Sequence, residues 1–357
     1  MRRQKHEDAR MTPLNPITIV GGGLAGLTLG IALRQRDVPV RVCEAGSYPR
    51  QRVCGEFICG NGIEVLRELG LSQKFIAAGA VEARSAMFNS EHKSYPPKML
   101  PSPALCLSRH LMDELLAKEF RKLGGKLRER ERVSMSDPGP GMVRATGRRI
   151  GASHSSAKWI GLKAHARHAL LGADLEMHFV RDGYVGLCQL GGGLVNVCGL
   201  FAVRGPVHEL AEIWPEFLRG PAGSVLRERL GKAEFVADSF CAVSGFNLRP
   251  VSAVEIKECC VGDALSMIPP VTGNGMSMAF ESAAWAAEPL AAFSRGEAGW
   301  EEARLAVARR CDAGFAGRLR WASWLQRMLM RRGAREVVLA LGSRFDRLWR
   351  AFFDKTR

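Results

Sequence analysis

A short β-branched apolar run, Ile17 to Val20, leads directly into Gly21-Gly22-Gly23-Leu24-Ala25-Gly26 and then into the helix-forming stretch LTLGIALRQRD. No other feature limits the fold of this chain so tightly. Gly21, Gly23 and Gly26 satisfy G-x-G-x-x-G. The first glycine permits a tight turn, the second lets backbone approach a pyrophosphate, and the third lets helix and strand pack closely. Phosphates bound there lie at a helix N-terminus, where free N–H groups and about half a positive charge favour them. The alternation of Val38, Val40 and Val42 predicts a second strand ending at Glu44, whose carboxylate can accept hydrogen bonds from ribose hydroxyls. Strand, glycine turn, helix and strand together make a βαβ unit, which requires a right-handed crossover and a parallel sheet. The expected dinucleotide contacts are Gly21, Gly23, Leu24, Ala25, Gly26 and Glu44. This unit by itself fits NAD as well as FAD.

The remaining pattern divides the chain. SYPRQRVCGEFICGNG reads as a loop and IEVLRELGL as a short helix closed by Gly70. Residues 80 to 100 read as extended, with a turn at Pro96–Pro97, and Ser108 is placed to cap a helix with Leu111, Met112, Leu115, Leu116, Phe120 and Leu123 on its apolar face. Short extended segments follow to about Arg149. From Lys158 the period changes to two: KWIGLKAHA, LEMHFV, YVGLCQL and LVNVCGLFAV, the last three joined by Asp182–Gly183 and Gly191–Gly193, predict an antiparallel meander. Residues 207 to 231 read as helical, ECCVGDA as a strand returning to the first domain, and GNGMSMAFESAAWAAEPLAAF as a helix with a small-residue face. Two or three basic helices complete the chain.

CVGDALSMIPPVTGNGMSMAFESA resembles the second flavin motif of the FAD-dependent aromatic hydroxylase (p-hydroxybenzoate hydroxylase-like) and geranylgeranyl reductase superfamily. The resemblance implies FAD, with Gly262 and Asp263 on the ribityl chain and Pro270, Gly273, Asn274, Gly275 and Met276 near the flavin ring. VCGEFICGNGIEVLRELGL resembles the segment after the second strand in the same superfamily, some members of which carry a Cys-Gly there. LSRHLMDELL resembles the helix whose arginine contacts the cofactor, which implies contacts from Arg109 and Arg52. Cys54 and Glu56 are the candidate catalytic residues. ATGRR departs from the family pattern: Thr146 stands where an aspartate would support both FAD and the nicotinamide cofactor, which weakens the case for direct NADPH use. NADPH and NADH stay open as electron donors.

These observations imply an α/β fold: a Rossmann-type, GR2-like FAD-binding domain with an inserted antiparallel β-sheet substrate domain and a helical C-terminus. The expected boundaries are 14–85, 103–150 and 255–297 for the FAD domain, 86–102 and 151–254 for the substrate domain, and 298–357 for a basic helical region. The implied function is a monooxygenase hydroxylating or epoxidising a lipophilic, aromatic or polyketide-like small molecule. The alternatives are a geranylgeranyl reductase-type enzyme saturating isoprenoid double bonds, or a non-catalytic, membrane-associated flavin-binding partner.

The net charge of +15 raises nucleic acid as a partner, but Trp300 to Arg357 holds 14 Lys/Arg against six Asp/Glu, a balance of +8, and no nucleic-acid module accompanies it. Trp and Phe among those arginines suit anionic headgroups, so the tail is also a candidate for peripheral membrane contact. The charged opening MRRQKHEDAR is followed by no apolar run, and ten cysteines show neither CxxC pairs nor zinc-ligand spacing. The expectation is a cytoplasmic protein with reduced thiols, peripheral at most at the inner membrane surface. The oligomeric state is not legible, and none of the eight histidines falls in a motif that assigns it a task.

Overall fold

The computed structural model describes residues 14–148, 158–203, 210–246 and 250–357. The charged first ten residues, Arg149 and the opening residues 207–209 of the expected helical stretch lie outside the described residues.

Two sheets organise the chain. The first has five strands in the order Cys259–Cys260, Met142–Arg144, Ile17–Val20, Val40–Glu44, Lys126–Glu129, every neighbouring pair parallel. Its central strands bury Ile17, Ile19, Val40, Val42 and Val143 on one face and Val20 and Cys43 on the other, as a parallel sheet sandwiched by helices requires. The helices Leu24–Arg34 and Gly275–Ser294 pack against one another beside it. The helix Arg109–Lys122 is capped as expected: the Ser108 hydroxyl accepts the Leu111 N–H at 3.3 Å.

The second sheet has eight strands in the order Glu234–Ser244, Lys158–Arg167, Val195–Val203, Gly183–Gln189, Leu175–Val180, Val81–Asn89, Lys98–Cys106, Phe57–Ile58. The expected meander is present and antiparallel. One pairing differs in sense, because Val81–Asn89 runs parallel to Leu175–Val180. Two strands gave no sequence signal. Glu234–Ser244 is only partly buried and shifts register between Val236 and Cys241, so no clean alternation survives. Phe57–Ile58 is two residues long inside an expected loop.

Period-two alternation gives this sheet two different faces. Ile160, Leu162, Ala164, Val185, Leu187 and Val197 point outward, under the helices Leu210–Arg219 and Val225–Leu230. Lys163, His165, Tyr184, Asn196 and Leu200 occupy the alternate positions and point inward to the first domain. A slip of one residue would exchange the two sets, so the burial of both faces pins the register.

Among the described residues three helices, Trp300–Leu329, Arg332–Arg344 and Asp346–Asp354, end the chain. They bridge both domains. Cys311, Phe315, Leu319 and Ala322 enter the core of the first domain. Leu329 and Leu339 join Phe179, Tyr184, Leu200 and Val271 between the domains. Trp349 meets Phe88 edge-on at 5.6 Å and its indole N–H donates to the Met99 carbonyl at 3.1 Å. No helix among the described residues is long and apolar enough to cross a membrane.

Candidate functional site

The glycine turn is built so that only glycine fits. Gly21 has φ +109°, and a Cβ there would lie 2.3 Å from the Ala145 carbonyl oxygen. A Cβ on Gly26 would lie 1.9 Å from the Gly21 oxygen, so helix and strand touch backbone to backbone. Around Gly23, by contrast, a Cβ would meet nothing within 4 Å, which leaves the second glycine facing open space. The helix it starts has no side-chain cap and no acid in its first turn. Leu24 and Ala25 are buried in the core, so they offer a ligand backbone N–H groups rather than side chains.

The second motif closes on the first. Gly262 has φ +62°, and a Cβ on it would lie 2.8 Å from the Ala25 methyl carbon. The two motifs, more than two hundred residues apart in sequence, are therefore neighbours. The helix Gly275–Ser294 also starts without a side-chain cap or first-turn acid. Its turn is compact: Pro270–Thr272 form a short 3-10 turn, Gly273 takes φ +63°, and the Phe57 ring lies where a Gly273 side chain would be. Asn274 is fully buried; its amide donates to the Thr356 carbonyl at 2.5 Å while its Oδ1 has no partner among the described residues. Ser266 Oγ, likewise buried, also lacks one. Met276 packs into the core of the first domain. Two uncapped helix starts and orphaned polar atoms around one glycine-lined junction fit a dinucleotide reaching from one start to the other.

Asp263 sits at this junction, partly buried. Burial raises its carboxyl from 3.8 to about 6, against the opposing pull of the Arg109 and Arg148 charges. A carboxyl whose folded value lies above its unfolded one binds more protons when folded, so its contribution to stability is present below the unfolded value and is lost as pH rises through the folded one. The ligand-free protein is expected to lose stability at this position between about pH 4 and pH 6. Asp263→Asn should flatten that part of the pH–stability curve, measured by urea midpoints of both proteins across the window.

Arg109 is the first residue of its helix and forms a bidentate pair with Asp113, at 2.6 and 2.9 Å. Burial alone would lower its guanidinium, and Asp113 more than offsets that. The sequence points to Arg52 as a second contact, yet Arg52 is half exposed, with its nearest nitrogen 3.9 Å from Glu44. Arg50, two positions earlier and without a sequence signal of its own, holds the glycine turn. It is largely buried, lies 2.5 Å from Glu44 and 3.3 Å from Asp113, and donates to the Gly22 carbonyl at 2.7 Å. Tyr48 donates to the same carbonyl at 2.5 Å. The Glu44 carboxylate accepts the Gly22 N–H at 2.7 Å and the Gly46 N–H at 2.8 Å. Burial pushes Glu44 up, but Arg50 and these two N–H groups hold it below its ordinary value, so it stays ionised at the end of its strand.

Cys54 and Glu56 lie next to Arg109. Burial raises the Cys54 thiol although Arg109 lies beside it, so it is held as a neutral thiol rather than a thiolate nucleophile. Its carbonyl accepts the Asn196 amide at 2.9 Å. Glu56 is wholly buried and takes φ +62°, a left-handed conformation costly for a non-glycine residue. Its carboxylate gathers three donors: the Arg109 backbone N–H at 2.8 Å, Lys163 Nζ at 3.2 Å and His165 Nε2 at 2.6 Å. Lys163 is also wholly buried and donates to Gln51 Oε1 at 2.6 Å. The cluster ties the loop before Phe57 to the inner face of the second sheet. A trace of it is visible in KWIGLKAHA, where Lys163 and His165 share one face of an otherwise apolar strand. Their partner Glu56, over a hundred positions away, is not legible there.

A Rossmann-type sheet, two converging glycine-lined helix starts and an inner sheet face closing over them make a cradle that suits a flavin dinucleotide. Residues 15–160 match the family described as FAD binding domain. Over 114 residues the chain is 29% identical to the rifampicin monooxygenase of Streptomyces venezuelae, covering 31% of this chain and 24% of that protein. Over 63 residues it is 36% identical to the 1H-pyrrole-2-carbonyl-(peptidyl-carrier protein) brominase of Pseudoalteromonas luteoviolacea, covering 18% and 15%. The matched stretches thus span about a quarter or less of these curated relatives. Among solved structures, the flavin-dependent brominase Bmp2 superposes with a TM-score of 0.67 at 18% identity, covering 92% of this chain and 93% of that one. The myxobacterial chondrochloren halogenase CndH gives 0.68 at 19%, covering 88% and 82%. At such identities the likeness is one of fold. Residues 15–160 thus match an FAD-binding domain, so the cofactor is FAD, and the chain as a whole shares its fold with flavin-dependent halogenases.

Proposed function

We propose that this protein is a monooxygenase that hydroxylates or epoxidises a lipophilic or aromatic, polyketide-like small molecule. One observation carries the reading. Val271, in the turn of the second flavin motif, shares an apolar cluster with Phe179, Tyr184 and Leu200 of the inner sheet face, and Trp159 and Phe246 pack against it. An aromatic wall therefore abuts the flavin turn. In it the Tyr184 hydroxyl is buried without a hydrogen-bond partner among the described residues, and burial holds the phenol neutral. An unsatisfied buried hydroxyl costs about 1–3 kcal/mol, which a substrate oxygen would recover. The relative named a rifampicin monooxygenase supports the same chemistry.

Once reduced, bound FAD supplies the activation of dioxygen. The chain positions and encloses. The amides of Leu24, Ala25 and Gly26 would hold the pyrophosphate, Asp263 would hold the ribityl hydroxyls, and the amides at the start of Gly275–Ser294 would favour negative charge on the ring. Leu329 and Leu339 close the apolar side and exclude water.

The test is dioxygen uptake by the FAD-loaded protein with NADPH and NADH in turn, against a panel of aromatic and isoprenoid compounds. Oxygenated product with matched uptake is the expected result. Halogenated product only when bromide or chloride is present would replace it with halogenation, and anaerobic alkene saturation with the reductase alternative. Tyr184→Phe is expected to raise KM for the true substrate roughly 2- to 10-fold, the worth of one hydrogen bond, while FAD affinity is unchanged; steady-state kinetics and a flavin titration separate the two.

A further inference from the structure

The outer face of the C-terminal helices takes no part in the site described above. On Trp300–Leu329, Arg320, Trp324 and Arg327 are exposed at spacings of four and three, which places them on one face, and Arg331, at the start of the next helix, is exposed as well. On Arg332–Arg344, Val337 and Leu341 are 58% and 41% exposed, and Phe345, four residues on, is 50% exposed. The opposite side of the same helices already buries Leu329 and Leu339 against the second sheet. The strip Val337, Leu341, Phe345 is therefore apolar surface that folding leaves in water. The other exposed large apolar side chains fall on separate elements, Val251 and Val254 apart.

The charge around the strip is one-sided. Arg332 pairs with Glu91 at 3.6 Å, Arg335 with Glu336 at 3.8 Å, and Lys98 takes Asp346 at 2.6 Å. Glu336 is further held by the Tyr95 hydroxyl at 2.8 Å. Arg320, Arg327, Arg331, Arg344 and Arg347 form no salt bridge among the described residues. Arg320 and Trp324 also border a cleft of about 650 Å³ whose other cations are Arg318, Lys355 and Arg357. The result is a line of apolar side chains one helix wide, with unpaired arginines at both ends and an exposed indole on the neighbouring helix.

We propose that this face lies on an anionic lipid bilayer, with Val337, Leu341 and Phe345 at the acyl boundary and the arginines on headgroup phosphates. A helix with an apolar stripe and a strongly basic surround lies in the plane of a membrane interface, and anionic lipid adds about 1 kcal/mol, or roughly fivefold, per cation near the surface. The strip is flat and single-file, which suits a lipid surface better than the groove that an acidic protein helix would need. The proposal does not depend on the reaction proposed above, although a lipophilic substrate would then be met where it dissolves.

The experiment is co-sedimentation of the full FAD-loaded chain with vesicles of phosphatidylcholine alone and of phosphatidylcholine with phosphatidylglycerol. Binding to the anionic vesicles should be at least about tenfold tighter and should weaken as salt shortens the screening length from about 10 Å to about 3 Å. Val337→Ser/Leu341→Ser/Phe345→Ser changes only exposed side chains and should lose about tenfold or more on anionic vesicles, while circular dichroism and flavin absorbance stay as in the parent. Arg344→Glu/Arg347→Glu should lose a similar factor at low salt only. Equal binding to both vesicle types, binding to neither, or a triple serine variant that binds like the parent would overturn the proposal. A concentration-dependent dimer abolished by the triple variant without vesicle binding would do so in favour of a second copy, and capture by polyglutamate without vesicle binding in favour of an acidic protein.

Discussion

Gly262→Val is expected to give a folded protein that no longer retains FAD and purifies colourless. Two effects add at this position. The backbone sits at φ +62°, which costs an L-residue about 1–2 kcal/mol and a β-branched one more. The added Cβ would lie 2.8 Å from the Ala25 Cβ, well inside the separation of about 3.5–4.0 Å at which carbons attract. The clash lies between the two helix starts rather than within either, so relief requires them to separate, and a ligand spanning both loses its fit. Raising the FAD dissociation constant by about a hundredfold needs only about 2.7 kcal/mol. Gly79→Val is the control: its φ is +93°, but nothing lies within 4 Å of the added carbon, so it carries strain without a clash. It should stay yellow with a modest loss of stability. Flavin titration monitored by fluorescence decides the matter. Retention of FAD within threefold of the parent by Gly262→Val would mean the two motifs do not share one ligand.

Glu56→Ala is expected to be the most destabilising single change in the site, by about 3–5 kcal/mol in urea unfolding. The reason lies less in the lost bonds than in what stays behind. Lys163 is wholly buried, and removing its carboxylate strands a charge in a low-dielectric interior. His165 loses its partner at the same time, as does the first backbone N–H of the Arg109 helix. The Glu56→Leu/Lys163→Met pair removes both ions together and should recover much of the loss, because replacing both members of a buried pair by apolar groups of similar size is often close to neutral. The double-mutant cycle therefore predicts a coupling of more than about 1 kcal/mol. Additivity of the two single changes would show that Glu56 and Lys163 do not interact. Glu56 holds Arg109 through its backbone and carries the loop of Cys54, so the single variant should also weaken FAD retention. That outcome would mark Glu56 as a positioning residue for the flavin.

Sequence and structure agree most closely where the signal is local. Ser108, Gly70 and the glycine turn are each read within a few residues and lie where their chemistry requires. The meander is equally legible, because its turn residues and its alternation are written in the strands themselves. Legibility fails where a contact joins distant segments. Arg50 and Arg52 differ by two positions in one loop, and only the path of that loop past Gly22 and Asp113 puts the first against the glycine turn and leaves the second half exposed. His165, one of eight histidines without a motif, acquires a partner only because strand Lys158–Arg167 turns its inner face to Glu56. The strand Glu234–Ser244 escaped detection because its register shift and partial exposure blur the alternation that identifies a strand.

By itself the sequence determined the βαβ unit, the second glycine motif and hence the cofactor class, because a turn that excludes every side chain but hydrogen is a constraint written in consecutive residues. The tertiary structure alone decided that the two motifs meet at Gly262 and Ala25, that a buried lysine, histidine and glutamate hold the loop of Cys54 and Glu56 to the sheet, and that an aromatic face abuts the turn of the second motif. Those features depend on side chains brought together from over a hundred positions apart, and their energies come from burial and desolvation, which exist only once the chain has folded.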